Sequence, residues 1–158
     1  MGIIDFVKEA GEKLGLGKKE DPTETEEFQE LRKGNLLMQR VIGLGLEVDD
    51  LRITYDDGVA TVNGKTESQA EREKIVLAVG NTEGVARVDD RMEVVKPEPE
   101  AVYHTVVRGD TLSKLAKEHY GDPMKYPIIF AANRPMLTHP DKIYPGQVLR
   151  IPPFEGTP

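Results

Sequence analysis

Tyr103-His104-Thr105-Val106-Val107-Arg108-Gly109-Asp110-Thr111-Leu112 is the stretch on which the reading of this chain turns. Tyr103 to Val107 has the β-branched and aromatic content of a short strand. Gly109-Asp110 then turns the chain into a helix that Asp110 is placed to cap, ending near Tyr120-Gly121. Asp122-Pro123 opens another helix, with the acid at the cap and proline at the first helical position, and this one runs to about Asn133. Arg134 to Gly146 reads as a proline-rich loop and Gln147 to Ile151 as a closing strand. The order is β-α-α-β over residues 102–153, followed by a tail at 154–158.

Upstream, Lys96-Pro97-Glu98-Pro99-Glu100 interrupts the chain, so residues 97–101 are expected to be a semi-rigid linker between two small units. The first unit, 24–96, begins with a helical pattern from Glu24 to Ile42, with Phe28, Leu31, Leu37, Met38 and Val41 as its inward face. Leu51, Ile53 and Tyr55 alternate as a strand, Asp57-Gly58 supplies a hairpin turn, and Val59 to Val62 returns, ending at Asn63-Gly64. Thr66 and Gln69 have the spacing of a capping box for the next helix, which Gly80-Asn81 stops. A last strand is expected over Val85 to Val95. This α-β-β-α-β order gives a two-layer α+β unit, and the fold class of the whole chain is α+β. Ile3, Phe6, Val7, Ala10 and Leu14 recur at helical spacing, so residues 3–14 are expected to form a short amphipathic helix. With its linker (1–23), that helix should dock on the first unit, because it is too short to persist alone.

Composition narrows the function classes. The net charge of -7 argues against nucleic acid or an anionic membrane as the principal partner. The chain has no cysteine, which removes thiol catalysis, disulfides and cysteine metal sites. His104, His119 and His139 lack ligand spacing, and Ser68 and Ser113 have no recognisable base. The reading is a non-enzymatic binding protein. No run approaches a membrane-spanning length, and the acidic, short-cored beginning lacks the form of an export signal. A cytoplasmic monomer is therefore expected.

Tyr103 to Leu112, with Asn133 and Ile143 to Pro152, closely resembles a LysM domain. That resemblance implies binding of N-acetylglucosamine-containing glycans through Gly109, Asp110, Thr111 and Leu112, facing Asn133, Ile143 and Tyr144. All of these residues also have structural readings as turn formers and caps. Residues 24–95 look like a BON domain, judged by element order, the Asp56-Asp57-Gly58 hairpin and the passage Ala78 to Val85. Three dispersed segments, Asp5 to Leu14, Ile75 to Asp90 and Pro135 to Lys142, resemble the cytoplasmic potassium-binding BON–LysM family of Gram-negative bacteria. That resemblance implies a K⁺ sensor whose domains close together on binding.

The chemistry is compatible with such an ion. A weakly hydrated monovalent cation can be held by carbonyl dipoles, whereas clustered carboxylates favour Ca²⁺ or Mg²⁺. Asp49-Asp50, Asp56-Asp57 and Asp89-Asp90 are isolated pairs suited to turns or solvated surface. Helix C-termini offer unpaired carbonyls and negative dipole ends. Glycine marks two of them, near Ala10-Gly11 and at Val79-Gly80. The expected K⁺ ligands are the backbone carbonyls of Val7, Ala10, Val79, Gly80, Thr82 and Val85. Glycan binding at peptidoglycan and a structural adaptor role stay open beside this reading.

Overall fold

The structure, a computed structural model, describes residues 2–7 and 25–153. The N-terminal unit is built on strands β1 (Gly2–Asp5), β2 (Asp49–Asp56), β3 (Val59–Ser68), β4 (Arg87–Asp90) and β5 (Glu93–Lys96), with helices α1 (Glu26–Gly43) and α2 (Gln69–Gly80). The sheet order is β1-β4-β3-β2, with β5 following β4 along the same side of β3. Strands β2 and β3 form an antiparallel hairpin, while β4 and β5 run parallel to β3. The crossover between them is α2, the arrangement that parallel neighbours require.

Asp57 and Gly58 both have positive φ, 45° and 83°, as a two-residue hairpin turn demands. Helix α1 runs unbroken through Gly34, because it crosses β2 closely. A Cβ at Gly34 would stand 2.7 Å from the Ile53 carbonyl oxygen. Leu37 and Val41 are fully buried on that face, but Phe28 and Leu31 are exposed, contrary to the inward face expected for them. Thr25 caps α1, its hydroxyl accepting from the Phe28 N–H at 3.2 Å.

Several expected boundaries move. Residues Gly2–Asp5 are a strand, not part of a helix, and pair antiparallel with β4 from Gly2↔Asp90 to Asp5↔Arg87. Residues 8–14 of that expected helix lie outside the described residues. A short apolar segment fits either period, and the open edge of β4 decides in favour of the strand. Strand β3 continues through Gly64 to Ser68 rather than stopping at Asn63-Gly64. The cap of α2 is Ser68, accepting from the Glu71 N–H, while Gln69 lies within the helix and bonds Glu73. The last expected strand is two, broken at Arg91-Met92, where Asp90 turns inward to Arg72 at 2.8 Å and to the Met92 N–H at 3.0 Å.

The C-terminal unit pairs β6 (Val102–Thr105) antiparallel with β7 (Val148–Ile151). Between them come α3 (Leu112–Tyr120), a 3-10 turn (Pro123–Lys125) capped by Asp122, and α4 (Tyr126–Ala132). Thr111, not Asp110, caps α3. The core is Val106, Leu112, Leu115, Ile129, Leu137, Leu149 and neighbours.

Helix α2 joins the two units. Every residue from Ile75 to Gly80 is buried, as are Gln69 and Glu73. A helix buried all round needs packing on more than one side, and here the sheet covers one side and the C-terminal unit another. All four residues of β7 are buried too. Leu149 and Ile151 point into their own core, while Val148 joins the core of the N-terminal unit. Arg150 reaches Glu73 at 2.7 and 2.8 Å, and the other carboxylate oxygen of Glu73 accepts from the Ala101 N–H and the Gln69 amide. Removing one partner of such a buried pair leaves an uncompensated charge and costs about 3–5 kcal/mol.

Gly34→Ala is expected to destabilise the chain by about 1–3 kcal/mol, since helix and strand must move apart. Urea denaturation measures this, and an unchanged midpoint would contradict so close a crossing.

Candidate functional site

The C-terminal end of α2 passes into a tight loop. Leu77 O accepts from the Asn81 N–H at 2.9 Å, and Val79 O from the Thr82 N–H at 3.2 Å. The Thr82 hydroxyl donates to Ala78 O at 2.7 Å, and Thr82 O accepts from the Val85 N–H at 3.2 Å. Gly84 takes φ 89°, and its carbonyl accepts from the Tyr55 hydroxyl at 2.7 Å. Val79, Gly80, Asn81, Thr82 and Val85 are all buried. A turn of carbonyls is thus concentrated at the negative end of a helix dipole, and its one carboxylate, that of Glu83, is on an exposed residue.

The N-terminal strand closes on this turn. The Phe6 N–H donates to Ala86 O at 2.9 Å, and the Phe6 ring lies directly against Gly80, where any Cβ would collide with it. Glycine at 80 is required by that close approach. Val7 follows immediately and is 43% exposed. Of the expected ligands, Val79, Gly80, Thr82 and Val85 share one turn, and the Val7 segment is brought beside them. Ala10 lies outside the described residues. Phe6 was read only as part of a helical stripe, and its role became visible once the strand placed it on Gly80.

Asn81 is the residue that sequence reasoning missed. Read as a helix stop, it is fully buried and crosses to the other unit. Its amide nitrogen donates to Val148 O at 2.8 Å, and its amide oxygen accepts from the Val148 N–H at 2.9 Å. Asn133 does the same two residues along β7, with 2.9 Å to Arg150 O and 2.8 Å from the Arg150 N–H. Two side-chain amides therefore complete the edge of β7 that β6 leaves open. Nothing in the sequence distinguishes such an asparagine from an ordinary helix terminator.

The residues read as glycan contacts divide. Gly109, at φ 94°, and Thr111 are exposed, but Leu112 is core and the Asn133 amide is committed to β7. Asp110 accepts from the Val107 N–H at 2.9 Å and from His104 at 2.8 Å. Ile143 and Tyr144 line a cleft of about 490 Å³ with Met136, Thr138, Lys142 and Gln147. Gly109 to Leu112 do not line it. Among the described residues, no three His, Asp or Glu side chains converge to hold a metal ion, and no helix is long and apolar enough to cross a membrane.

A BON domain model matches residues 37–96 and a LysM domain model residues 104–152. Over 156 residues the chain is 44% identical to the potassium binding protein Kbp of Escherichia coli O6:H1, covering 96% of this chain and 99% of that one. The chain belongs to the Kbp family of BON–LysM proteins. Shorter likenesses reach other proteins. One is an uncharacterised protein of Deinococcus radiodurans, 51% identical over 49 residues (31% of this chain, 19% of that one). Another is an esterase of Mycobacterium tuberculosis, 49% identical over 53 residues, which cover 34% of this chain and 11% of the esterase. In the Kbp-family arrangement seen here, the α2 end belongs to the BON domain and its partner β7 to the LysM domain.

The Val107 amide, and after it His104, hold the Asp110 carboxyl below the ordinary carboxylate range. A depressed folded pKa stabilises above the unfolded value and ceases to do so as pH falls through the folded one. Thermal unfolding from pH 7 downward should therefore show an Asp110-dependent loss beginning near about pH 4, smaller in Asp110→Asn. Parallel profiles for the two proteins would contradict this.

Proposed function

We propose that this chain binds K⁺ and acts as a cytoplasmic, monomeric, non-catalytic potassium sensor. The chain divides into a BON part over 24–96 and a LysM part over 102–153, with 97–101 as the linker and 1–23 as an arm on the BON part. The observation that carries the reading is the carbonyl-lined turn at the α2 end, closed by Phe6 just after β1, in a chain 44% identical to a potassium binding protein along its length. The carbonyls of Val7, Ala10, Val79, Gly80, Thr82 and Val85 are the proposed ligands. Such a donor set carries no formal charge and suits a large monovalent ion better than a divalent one.

Some of these carbonyls also accept internal hydrogen bonds, Val79 O from Thr82 and Thr82 O from Val85. A carbonyl has two lone pairs, so ligation is compatible with those bonds. Bound K⁺ would then hold the 79–85 turn and the N-terminal arm together. Because the same turn leads into the BON–LysM contact, ion binding would favour the docked arrangement, by as much as the ion prefers that state.

A second reading, glycan binding at the LysM domain, is favoured by one observation. Gln147 Oε1, on the wall of the 490 Å³ cleft, is a buried side-chain oxygen without a hydrogen-bond partner among the described residues. A ligand N–H or O–H would satisfy it.

Thermal unfolding and small-angle scattering in KCl, against NaCl at equal ionic strength, test the first reading. At about 100 times its Kd, a ligand adds about 2.7 kcal/mol, several degrees in Tm. A K⁺-specific rise with compaction is expected. Identical curves in both salts would remove the potassium reading and leave the LysM cleft as the better candidate.

A further inference from the structure

The two amides on β7 are not equivalent. Asn133 belongs to the same domain as the strand, and both of its bonds to Arg150 lie within that domain. Asn81 belongs to the BON domain and is the residue immediately after α2. It stands between Gly80 and Thr82, inside the 79–85 turn, and its side chain makes both of its backbone bonds to Val148.

We propose that Asn81 is the positioning residue through which the state of the 79–85 turn reaches the LysM domain. This rests on the reading of that turn as the ion-binding element. Both bonds to Val148 require the amide plane to lie along β7, and the backbone of residue 81 sets the point from which χ1 and χ2 direct it. Asn81 sits at φ -83°, ψ 13°, outside the regular helix. Its neighbours are the proposed ligands Gly80 and Thr82, so an ion drawing on their carbonyls restricts the dihedrals that aim the amide. The turn's own hydrogen bonds already aim the amide at Val148, and a bound ion would add to that restraint.

A second polar BON–LysM contact lies at the other end of α2. Glu73 holds Arg150 and Ala101 two turns away from the loop, and none of its partners is part of the turn. Met136 lies beside Asn81, its sulfur 3.3 Å from the amide nitrogen, and adds a weak acceptor at the same point. Among the described residues the interface thus has a clasp at Glu73, remote from the turn, and another at Asn81, within it. The Glu73 clasp sets how strongly the domains associate in any salt, whereas the Asn81 clasp makes that association respond to the ion.

Reciprocity supplies the test. If K⁺ strengthens docking through Asn81, docking strengthens K⁺ binding by the same factor. In the two-domain chain, Asn81→Ala is expected to bind K⁺ roughly five-fold or more weakly and to show no K⁺-dependent fall in radius of gyration. The isosteric Asn81→Asp keeps the side-chain volume but sets a carboxylate oxygen against Val148 O, and should be uncoupled in the same way. It decides the matter if the alanine variant does not fold. Titration calorimetry with KCl and scattering in matched KCl and NaCl give the two readouts. Variants that compact in K⁺ and bind it as the unmodified chain does would overturn the proposal. So would an equal loss of Tm in both salts with the K⁺ increment intact, the mark of a merely structural role. Absence of any K⁺ response in the unmodified chain would instead overturn the potassium reading, and this inference with it.

Discussion

A helix buried on every side is the constraint from which the rest of this structure follows. From Ile75 to Gly80, α2 has no residue left to solvent, so it cannot be the surface helix of an independent small domain. One side packs on the sheet; another needs a cover, and the LysM domain provides it. Glu73 would be untenable in that position without a cation, and Arg150 arrives from β7 to supply one. The price of burying both charges is offset only because the remaining carboxylate oxygen is also satisfied, by Ala101 and Gln69.

Strand β7 mirrors this on the LysM side. A two-stranded ribbon is marginal alone, and its second strand presents one face to its own core and the other to α2. Its open edge is finished by Asn133 from within the domain and Asn81 from outside it. Each domain is thereby completed by a side chain of the other, Glu73 receiving Arg150 and Val148 receiving Asn81. Burial of Tyr103 beside this junction, with Glu73 and Asp90 near it, pushes its phenol well above the ordinary range and keeps it neutral.

Much of this architecture could be read from the chain itself. Asp57-Gly58 announces the hairpin, Asp122-Pro123 a helical start, and Gln147 to Ile151 a strand, observed from Val148, because each depends on local backbone preference. The misreadings share a cause. Residues 3–7 fit a helix by spacing, yet the edge of β4, more than eighty residues away, makes residues 3–5 part of a strand. Phe28 and Leu31 fit an inward helical face, but Gly34 sets the crossing on β2 so that Leu37 and Val41 turn inward instead. The candidate ion turn was legible because glycine marks a helix end. Its link to the second domain was not, since an asparagine after a helix carries the same local signal whether it ends the helix or spans an interface.

The central claim is that the 79–85 turn and the LysM strand form one ion-responsive unit. The backbone amide of Val148, bonded to Asn81 Oδ1 at 2.9 Å, reports on it directly. Native-state hydrogen exchange of that amide, in KCl and in NaCl of equal ionic strength, is the most direct measurement. The account predicts slower exchange at Val148 in K⁺, with the Arg150 amide, held by Asn133 within the LysM domain, changing much less. Equal exchange at Val148 in the two salts, or an equal slowing at both amides, would contradict it.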